Sequence, residues 1–444
     1  MFRDRFDESS DVDILRYSAG LIGKSLSQVA SIPESEVSAR GKGRIGALVE
    51  KYYFGYEPNN DSLPDFPKAN LELKVTGLKS KPHEPPVAKE RLSLNLINYY
   101  DLASETFEGS AFYRKCQKLL ILCYRYDASV RTIDQEFTEH QFIYSLIERD
   151  LSVIKQDWEL IQSKVLSGKA HEISEGDTFF LKANRKGAGG EKDWTGQPYS
   201  QEPAYRRGWS FNSHFLTEMI RNGMQIKPAP AGEFAGHIEL AVELCFKAHY
   251  GMPTEELINK FGIDRPGAKK SKSHLYSLSV QFLQAGKISM ADLKKAGIRL
   301  KTVRLKSTGA TRESMSFPAF DYQTISNQDW ETSDFCNALE EKFLFVIFQE
   351  GDDGTERFVK AAYWNMPYGD RQRAREVWEK TKERILDSTY AFPGSGENRV
   401  AHVRPHGKDS KDMIMCPDGV LRMKRCFWLN KSYIREIVTE LIKP

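Results

Sequence analysis

Six cysteines are spread over 444 residues, and none falls in a CxxC pair or at any other metal-ligand spacing. Cys116, Cys123, Cys245, Cys336, Cys416 and Cys426 therefore read as buried thiols of a reducing compartment, with neither disulfides nor structural zinc expected. Of the nine histidines only His402 and His406 stand at an HxxxH interval, and surface or core roles are expected for all nine rather than metal ligation. Charge of one sign is not in surplus either: 64 lysines and arginines against 61 aspartates and glutamates leave +3. A polyanionic partner would have to be met by local basic patches, not by a globally basic surface. The most apolar segment, FLFVIF from Phe343 to Phe348, is far too short to span a bilayer. The N-terminus, MFRDRFDESSDVD, is charged with no apolar run behind it, so a cytoplasmic protein without membrane contact is expected. GAGG is not followed by GK[ST], which argues against a phosphate-binding loop and against a nucleotide cofactor.

What the sequence does contain is a repeat. The length exceeds what one hydrophobic core usually serves. AGLIGKSLSQVASI has helical periodicity, and IGALVEKYYFG reads as a helix closed by glycine. NLELKVTGL alternates as a strand, with Glu72 and Lys74 on one face and Leu71, Leu73 and Val75 on the other. RLSLNLINYY and KLLILCYRY read as further strands, LSVIKQDWELIQSKVL as a long helix, DTFFLKA as a strand, and WSFNSHFLTEMI as the start of a last helix. KPAPAGEFAG then reads as a linker. Beyond it the order recurs. LAVELCFKAHYG answers ALVEKYYFGY and sets Glu243 opposite Glu50; ADLKKAGIRLKTVRL answers PDFPKANLELKVTGL and sets Asp292, Arg299 and Lys301 opposite Asp65, Glu72 and Lys74. WETSDFCNALEEKFLFVIF answers FEGSAFYRKCQKLLILCY and sets Ala338 opposite Lys115; VWEKTKERIL answers DWELIQSKVL and sets Trp378 opposite Trp158. The expected boundaries are 1–222 for the first copy, 223–235 for the linker and 236–444 for the second copy.

The copies differ where chemistry would sit. Phosphodiester hydrolysis needs a hard divalent cation against the charge building on phosphorus, and an activated water. Asp65 and Glu72 could supply carboxylate oxygens, the backbone carbonyl of Leu73 a third ligand, and Glu50 a fourth or a hold on a metal-bound water. Lys74 could orient or deprotonate the water, since an ammonium desolvated beside a metal can shift its pKa downward, and Lys115 could meet the phosphate. Taken alone, Dx6ExK is also what a solvated strand with an incidental ion pair would show. In the second copy Arg299 replaces a carboxylate by a cation, which repels a metal, and Ala338 removes a second charged group. This marks 236–444 as a degenerate copy.

With these residues in hand, the first copy resembles the MutH family of sequence-specific endonucleases through GRIGALVEKYYFG, PDFPKANLELKVTG, TFEGSAFYRKCQKLLI, DWELIQSKVLSGK and DTFFLKANRKG…AYRRGWSFNSHFL, in that order. One intact and one degenerate copy in tandem resembles the Sau-type restriction endonucleases that cut at GATC. The resemblance implies an α/β (α+β) fold of two PD-(D/E)xK, restriction-endonuclease-like domains, each a mixed sheet flanked by helices. It implies catalytic groups at Glu50, Asp65, Glu72, Lys74 and Lys115, Mg2+ with Mn2+ as a substitute, and double-stranded DNA as substrate. It also implies a separate DNA methyltransferase as companion. One centre per chain implies either a homodimer on DNA or successive nicks. A mismatch-repair nicking enzyme and a non-catalytic DNA-binding protein are the alternatives.

For DNA reading the resemblance points to Lys182 and Tyr205 in the first copy and to Arg404 and Trp428 in the second. The family's Arg-Pro-Lys triplet appears as Arg404-Pro405-His406 in the second copy and is matched with Lys182-Ala183-Asn184 in the first. Arg185 and Lys186, with Arg206 and Arg207 of YRRGW, form the strongest basic cluster of the first half and read either as backbone contacts or as a solvated loop. RPGAKKSKSH is a second basic loop with the same two readings.

Overall fold

The computed structural model describes residues 6–37, 44–58, 63–80, 85–146, 148–187, 190–223, 238–263, 272–312, 314–409 and 411–443. Nearly all of the expected linker, from residue 224 on, and most of RPGAKKSKSH, residues 265–271, lie outside them.

The first half supplies strands β1 (Glu72–Lys79), β2 (Val87–Ala88), β3 (Leu92–Leu96), β4 (Lys118–Arg125), β5 (Phe137–Ser145), β6 (Leu181–Arg185), β7 (Trp194–Gln197), β8 (Ser200–Tyr205) and β9 (Arg207–Phe211). The second supplies β10 (Ile298–Leu305), β11 (Met315–Ala319), β12 (Lys342–Glu350), β13 (Glu356–Trp364), β14 (Ala401–Pro405), β15 (Met413–Met415), β16 (Leu421–Met423) and β17 (Arg425–Leu429). The repeat read from the sequence is a repeat of topology. β1 runs parallel to β4 and β4 antiparallel to β5, while β10 runs parallel to β12 and β12 antiparallel to β13. A smaller sheet follows in each half, β3-β9-β6 and β11-β17-β14. The long helices Glu148–Leu166 and Tyr368–Leu386 each bury a tryptophan, Trp158 and Trp378, at the same distance from the helix start.

The central strands β4 and β12 are apolar without interruption because both of their faces are covered. Leu120 and Leu122 of β4 face a core built with Leu48, Val49 and Phe54, while Leu119, Ile121 and Cys123 face a second core. That second core also contains Leu344, Val346 and Phe348 of β12, so it runs continuously from one half into the other. The remaining face of β12, Phe343, Phe345 and Ile347, packs on the long helix of its own half. The halves are thus joined by shared apolar packing.

Some expected elements differ. AGLIGKSLSQVASI is a 3₁₀ turn, Ala19–Leu21, and a short helix, Leu26–Val29, parted by Gly23 at φ +71°. The helix at Arg44–Leu48 widens into a π-helical turn, Val49–Phe54, before Gly55 closes it at φ 85°. RLSLNLINYY is strand only to Leu96; Asn98 Oδ1 then accepts the Tyr100 N–H at 3.0 Å and starts a helical turn. The helix expected near Trp209 begins at Ser213, because the residues before it complete β9. Among the described residues no helix is long and apolar enough to cross a membrane.

Candidate active site

The N-terminal half of β1 opens into a cleft of about 1000 Å³. Glu50, Asp65, Glu72, Leu73, Lys74 and Lys115 all line it. The five side chains selected from the sequence therefore meet at one place. Asp65 comes from the turn before β1, and its Oδ2 accepts the Leu73 N–H at 2.9 Å. Its own N–H donates to Glu72 Oε2 at 3.2 Å. In an extended strand the N–H and C=O of one residue lie on the same edge, so the Leu73 carbonyl shares the edge that Asp65 occupies. Lys115 ends the helix Ala111–Cys116, which is set by Ser110 Oγ accepting the Tyr113 N–H at 3.0 Å. Glu50 sits in the π-helical turn, a geometry found often at functional sites.

Glu72 is 2% exposed, and its Oε1 lies 2.6 Å from Lys74 Nζ and 3.7 Å from Lys115 Nζ. Burial raises its pKa, opposed by Lys74 and reinforced by Asp65. For Lys74, burial pulls downward most strongly, but Glu72, Cys116 and Asp65 together outweigh it, so the ammonium pKa is raised. Burial, then the charges of Asp65 and Glu72, push Glu50 up to about 7.

The Glu50 shift carries a sign. With a folded pKa near 7 and an unfolded value near 4.5, the metal-free fold pays nothing for Glu50 below pH 4.5, and the full repulsion above pH 7. Glu50→Gln is therefore expected to raise the melting temperature in EDTA at pH 8 and to leave it nearly unchanged at pH 4.5. Equal shifts at both pH values would contradict this.

The donor set is oxygen only, which suits a hard divalent cation. Among the described residues no three His, Cys, Asp or Glu side chains converge tightly enough for an all-protein cage.

The second copy keeps the frame and carries different side chains at these positions. Ser333 Oγ accepts the Cys336 N–H at 3.2 Å, as Ser110 does for Tyr113, and Ala338 follows Ser333 at the interval by which Lys115 follows Ser110. Arg299 donates to Glu341 Oε1 at 2.6 Å, so a half-buried cation paired with a glutamate of the neighbouring element stands where the first copy has the buried Glu72 carboxylate. Burial, and then Arg299, lower the Lys301 pKa. Two expected members lie elsewhere. Asp292 caps the helix Met290–Lys295, its Oδ2 accepting the Ser289 N–H at 2.8 Å in an exposed position. Glu243 is exposed on the helix Ile238–Lys247, where its charge acts on Tyr250 and Tyr363.

The residues expected to read DNA divide into two groups. Lys182 is 5% exposed and donates to the carbonyls of Glu175, at 3.0 Å, and Thr178. Burial lowers its pKa to about 8, and a cation spent on carbonyls cannot reach a base edge. Arg207 is also buried, donating to the carbonyls of Ala183 (2.7 Å) and Ile173 and facing Glu340 Oε1 at 3.4 Å. For both, the expectation of a DNA contact is corrected. Arg185 lines the cleft but is held by Glu340 Oε2 at 3.2 Å and Cys336 Sγ at 3.0 Å. Lys186 lines it too, donating to Ser93 Oγ at 2.9 Å, and Tyr205 does so with its hydroxyl on Asp193 Oδ2 at 3.0 Å. Arg206 is exposed. In the second copy Arg404 is exposed and stacks on Trp428, 3.8 Å from the ring centre.

The strand register also corrects the match between copies. Leu181 pairs with Phe211 and Ala401 with Leu429, and each of those partners is followed by an asparagine that starts a helix, Asn212 and Asn430. Counted from these anchors, Arg404 corresponds to Asn184 and not to Lys182, and Trp428 corresponds to Ser210 and not to Tyr205. The triplet of the first copy is thus Asn184-Arg185-Lys186. Sequence matching had aligned the first basic residue of each strand, two positions out of step. Also unforeseen were Arg91 on Glu175, and the second-half residues Glu331, Thr332 and Asn337 in the cleft wall. Only tertiary packing brings these to the site.

A family model described as DNA mismatch repair enzyme MutH matches residues 54–157 and 283–375, one segment in each copy. The type II restriction enzyme Sau3AI of Staphylococcus aureus is 28% identical over 95% of this chain and 96% of its own length. The DNA mismatch repair protein MutH of Buchnera aphidicola subsp. Baizongia pistaciae is 27% identical over 39% of this chain and 78% of its own, and that of Vibrio parahaemolyticus 22% over 48% and 96%.

Proposed function

We propose that this chain, which belongs to the MutH family and carries its fold twice, is a type II restriction endonuclease. It hydrolyses phosphodiester bonds of double-stranded DNA at a short site, with GATC as the proposed sequence and Mg2+ as the proposed cofactor. Residues 1–222 cut, and 236–444 bind DNA without cutting. The observation that carries this reading is the asymmetry between Glu72 beside Lys74 and Lys115 in one copy and Arg299 closed on Glu341 in the other. The tandem length favours restriction over repair nicking, since the repair relatives correspond to about half of this chain while the restriction enzyme spans nearly all of it.

A bound divalent ion would supply charge for the phosphorane-like transition state and an acidified water. Asp65, Glu72 and the Leu73 carbonyl would hold it. Lys74, kept cationic by Glu72, orients the attacking water and the scissile phosphate; Lys115 adds a second positive charge. Glu50, with its pKa near neutrality, is placed to exchange a proton with solvent in the cleft. Arg206, Lys186 and the Arg404–Trp428 stack are the proposed DNA contacts, together with Tyr205 in the cleft wall. One centre per chain requires dimerisation on DNA or two successive nicks, and a companion methyltransferase would protect the host's own sites.

Digestion of unmodified plasmid with Mg2+ and with EDTA tests the proposal. Discrete fragments in Mg2+ alone are expected. Nicked circles only would favour repair nicking, and binding without cleavage would leave a non-catalytic DNA-binding protein. Adenine- and cytosine-methylated plasmids in parallel map the site.

A further inference from the structure

We propose that Asn184 is a specificity-determining residue of the first copy, its carboxamide reading an adenine of the target from the major groove. This rests on the endonuclease reading above.

Asn184 stands on β6 at the register position that Arg404 holds on β14. It lines the cleft that contains Glu72, Lys74 and Lys115. It is 6% exposed, and among the described residues its Oδ1 has no hydrogen-bond partner. Its Nδ2 donates one hydrogen to the Arg185 carbonyl at 3.2 Å, which leaves the second N–H unspent. A buried acceptor without a donor is costly, so an unmatched amide in a cleft wall marks a place where a ligand supplies the donor. Its neighbour Arg185 is committed to Glu340 and Cys336.

The chemistry of the group selects the base. A carboxamide presents an acceptor and a donor side by side, and adenine alone offers the complementary pair, N6–H and N7, on its major-groove edge. Guanine would set its O6 and N7 acceptors against Oδ1; thymine offers an acceptor, and cytosine only one donor. The arginine at the same position of the second copy has the opposite preference, two donors for guanine. The two copies therefore differ in base preference as well as in catalysis.

The test uses duplexes carrying the site mapped by plasmid digestion, with each adenine replaced in turn by 7-deazaadenine, which lacks N7, or 2-aminopurine, which lacks the N6 amino group. At one adenine each analogue should slow single-turnover cleavage by the wild type about ten- to a hundred-fold. Asn184→Ala should cut the unmodified duplex about as slowly and lose sensitivity to both analogues there. Asn184→Asp, which keeps the acceptor and loses the donor, should lose sensitivity to 7-deazaadenine only. Thermal melts identify a variant that fails by unfolding, in which case the wild-type analogue pattern and the other variant decide. A mapped site without adenine, a wild type indifferent to both analogues at every adenine, or variants keeping the wild-type sensitivity overturns the proposal while leaving the endonuclease reading intact. A wild type that cuts no DNA overturns both.

Discussion

Replacing Glu72 by glutamine is expected to slow single-turnover DNA cleavage by on the order of 10³-fold or more while the protein stays folded. Glutamine keeps the shape of the side chain and an oxygen for the Asp65 N–H, so the turn entering β1 should survive. What it removes is the charge that faces Lys74 at 2.6 Å and Lys115 at 3.7 Å, and one of the two carboxylates available to a dication. Without that carboxylate the burial of Lys74 is no longer opposed by its main partner, and the ammonium shifts toward its neutral form. Metal affinity and water orientation therefore fail together. A Glu72→Gln rate within about tenfold of the wild type would place the chemistry elsewhere. Alanine is the poorer probe, because it leaves Lys74 buried without its counter-charge.

Glu340→Ala is expected to destabilise the protein by about 3–5 kcal/mol, read as a lower denaturation midpoint in urea. Glu340 belongs to the second half, yet it is buried against Arg185 and Arg207 of the first. Burial alone would raise its carboxyl, but Arg185, Arg207 and Arg371 outweigh that and hold it down at about 2. Removing it leaves two buried guanidiniums in like-charge proximity with no anion between them. The approach of the halves is close here: a Cβ on Gly176 would meet the Glu340 carbonyl oxygen at 2.7 Å. Glu340→Gln should cost less, since the amide oxygen still accepts. A midpoint unchanged in Glu340→Ala would mean that the ion cluster contributes nothing to joining the halves.

The convergence of Glu50, Asp65, Glu72, Lys74 and Lys115 on one cleft was legible in the sequence because they lie on one short strand and on the elements just before and after it. Alternation along ELKVTG put Glu72 and Lys74 on one face, and the repeat supplied an internal control in Arg299 and Ala338. The protonation of Lys74 was not legible, because it depends on which effect is larger, burial or a carboxylate at 2.6 Å. The DNA-facing residues were read less well for a geometric reason. KANRK and HVRPH look alike at several offsets, and only the ladder with β9 and β17 fixes the offset that makes Asn184 the counterpart of Arg404. Lys182 and Arg207 resembled surface cations, and their neighbours in sequence gave no hint that the other half of the chain would cover them. Asp292 and Glu243 matched by spacing, but a capping serine drew one carboxylate into a helix end and the other lies exposed on the helix Ile238–Lys247.

The central claim is that the first copy cuts and the second does not. Its most direct test is plasmid cleavage in Mg2+ by an Arg299→Ala/Lys301→Ala variant, run beside Glu72→Gln under single-turnover conditions. The second-copy variant is expected to cut both strands at a rate within about tenfold of the wild type while the first-copy variant falls by on the order of 10³-fold. Loss of cleavage in the Arg299→Ala/Lys301→Ala protein, with Glu72→Gln still active, would contradict it.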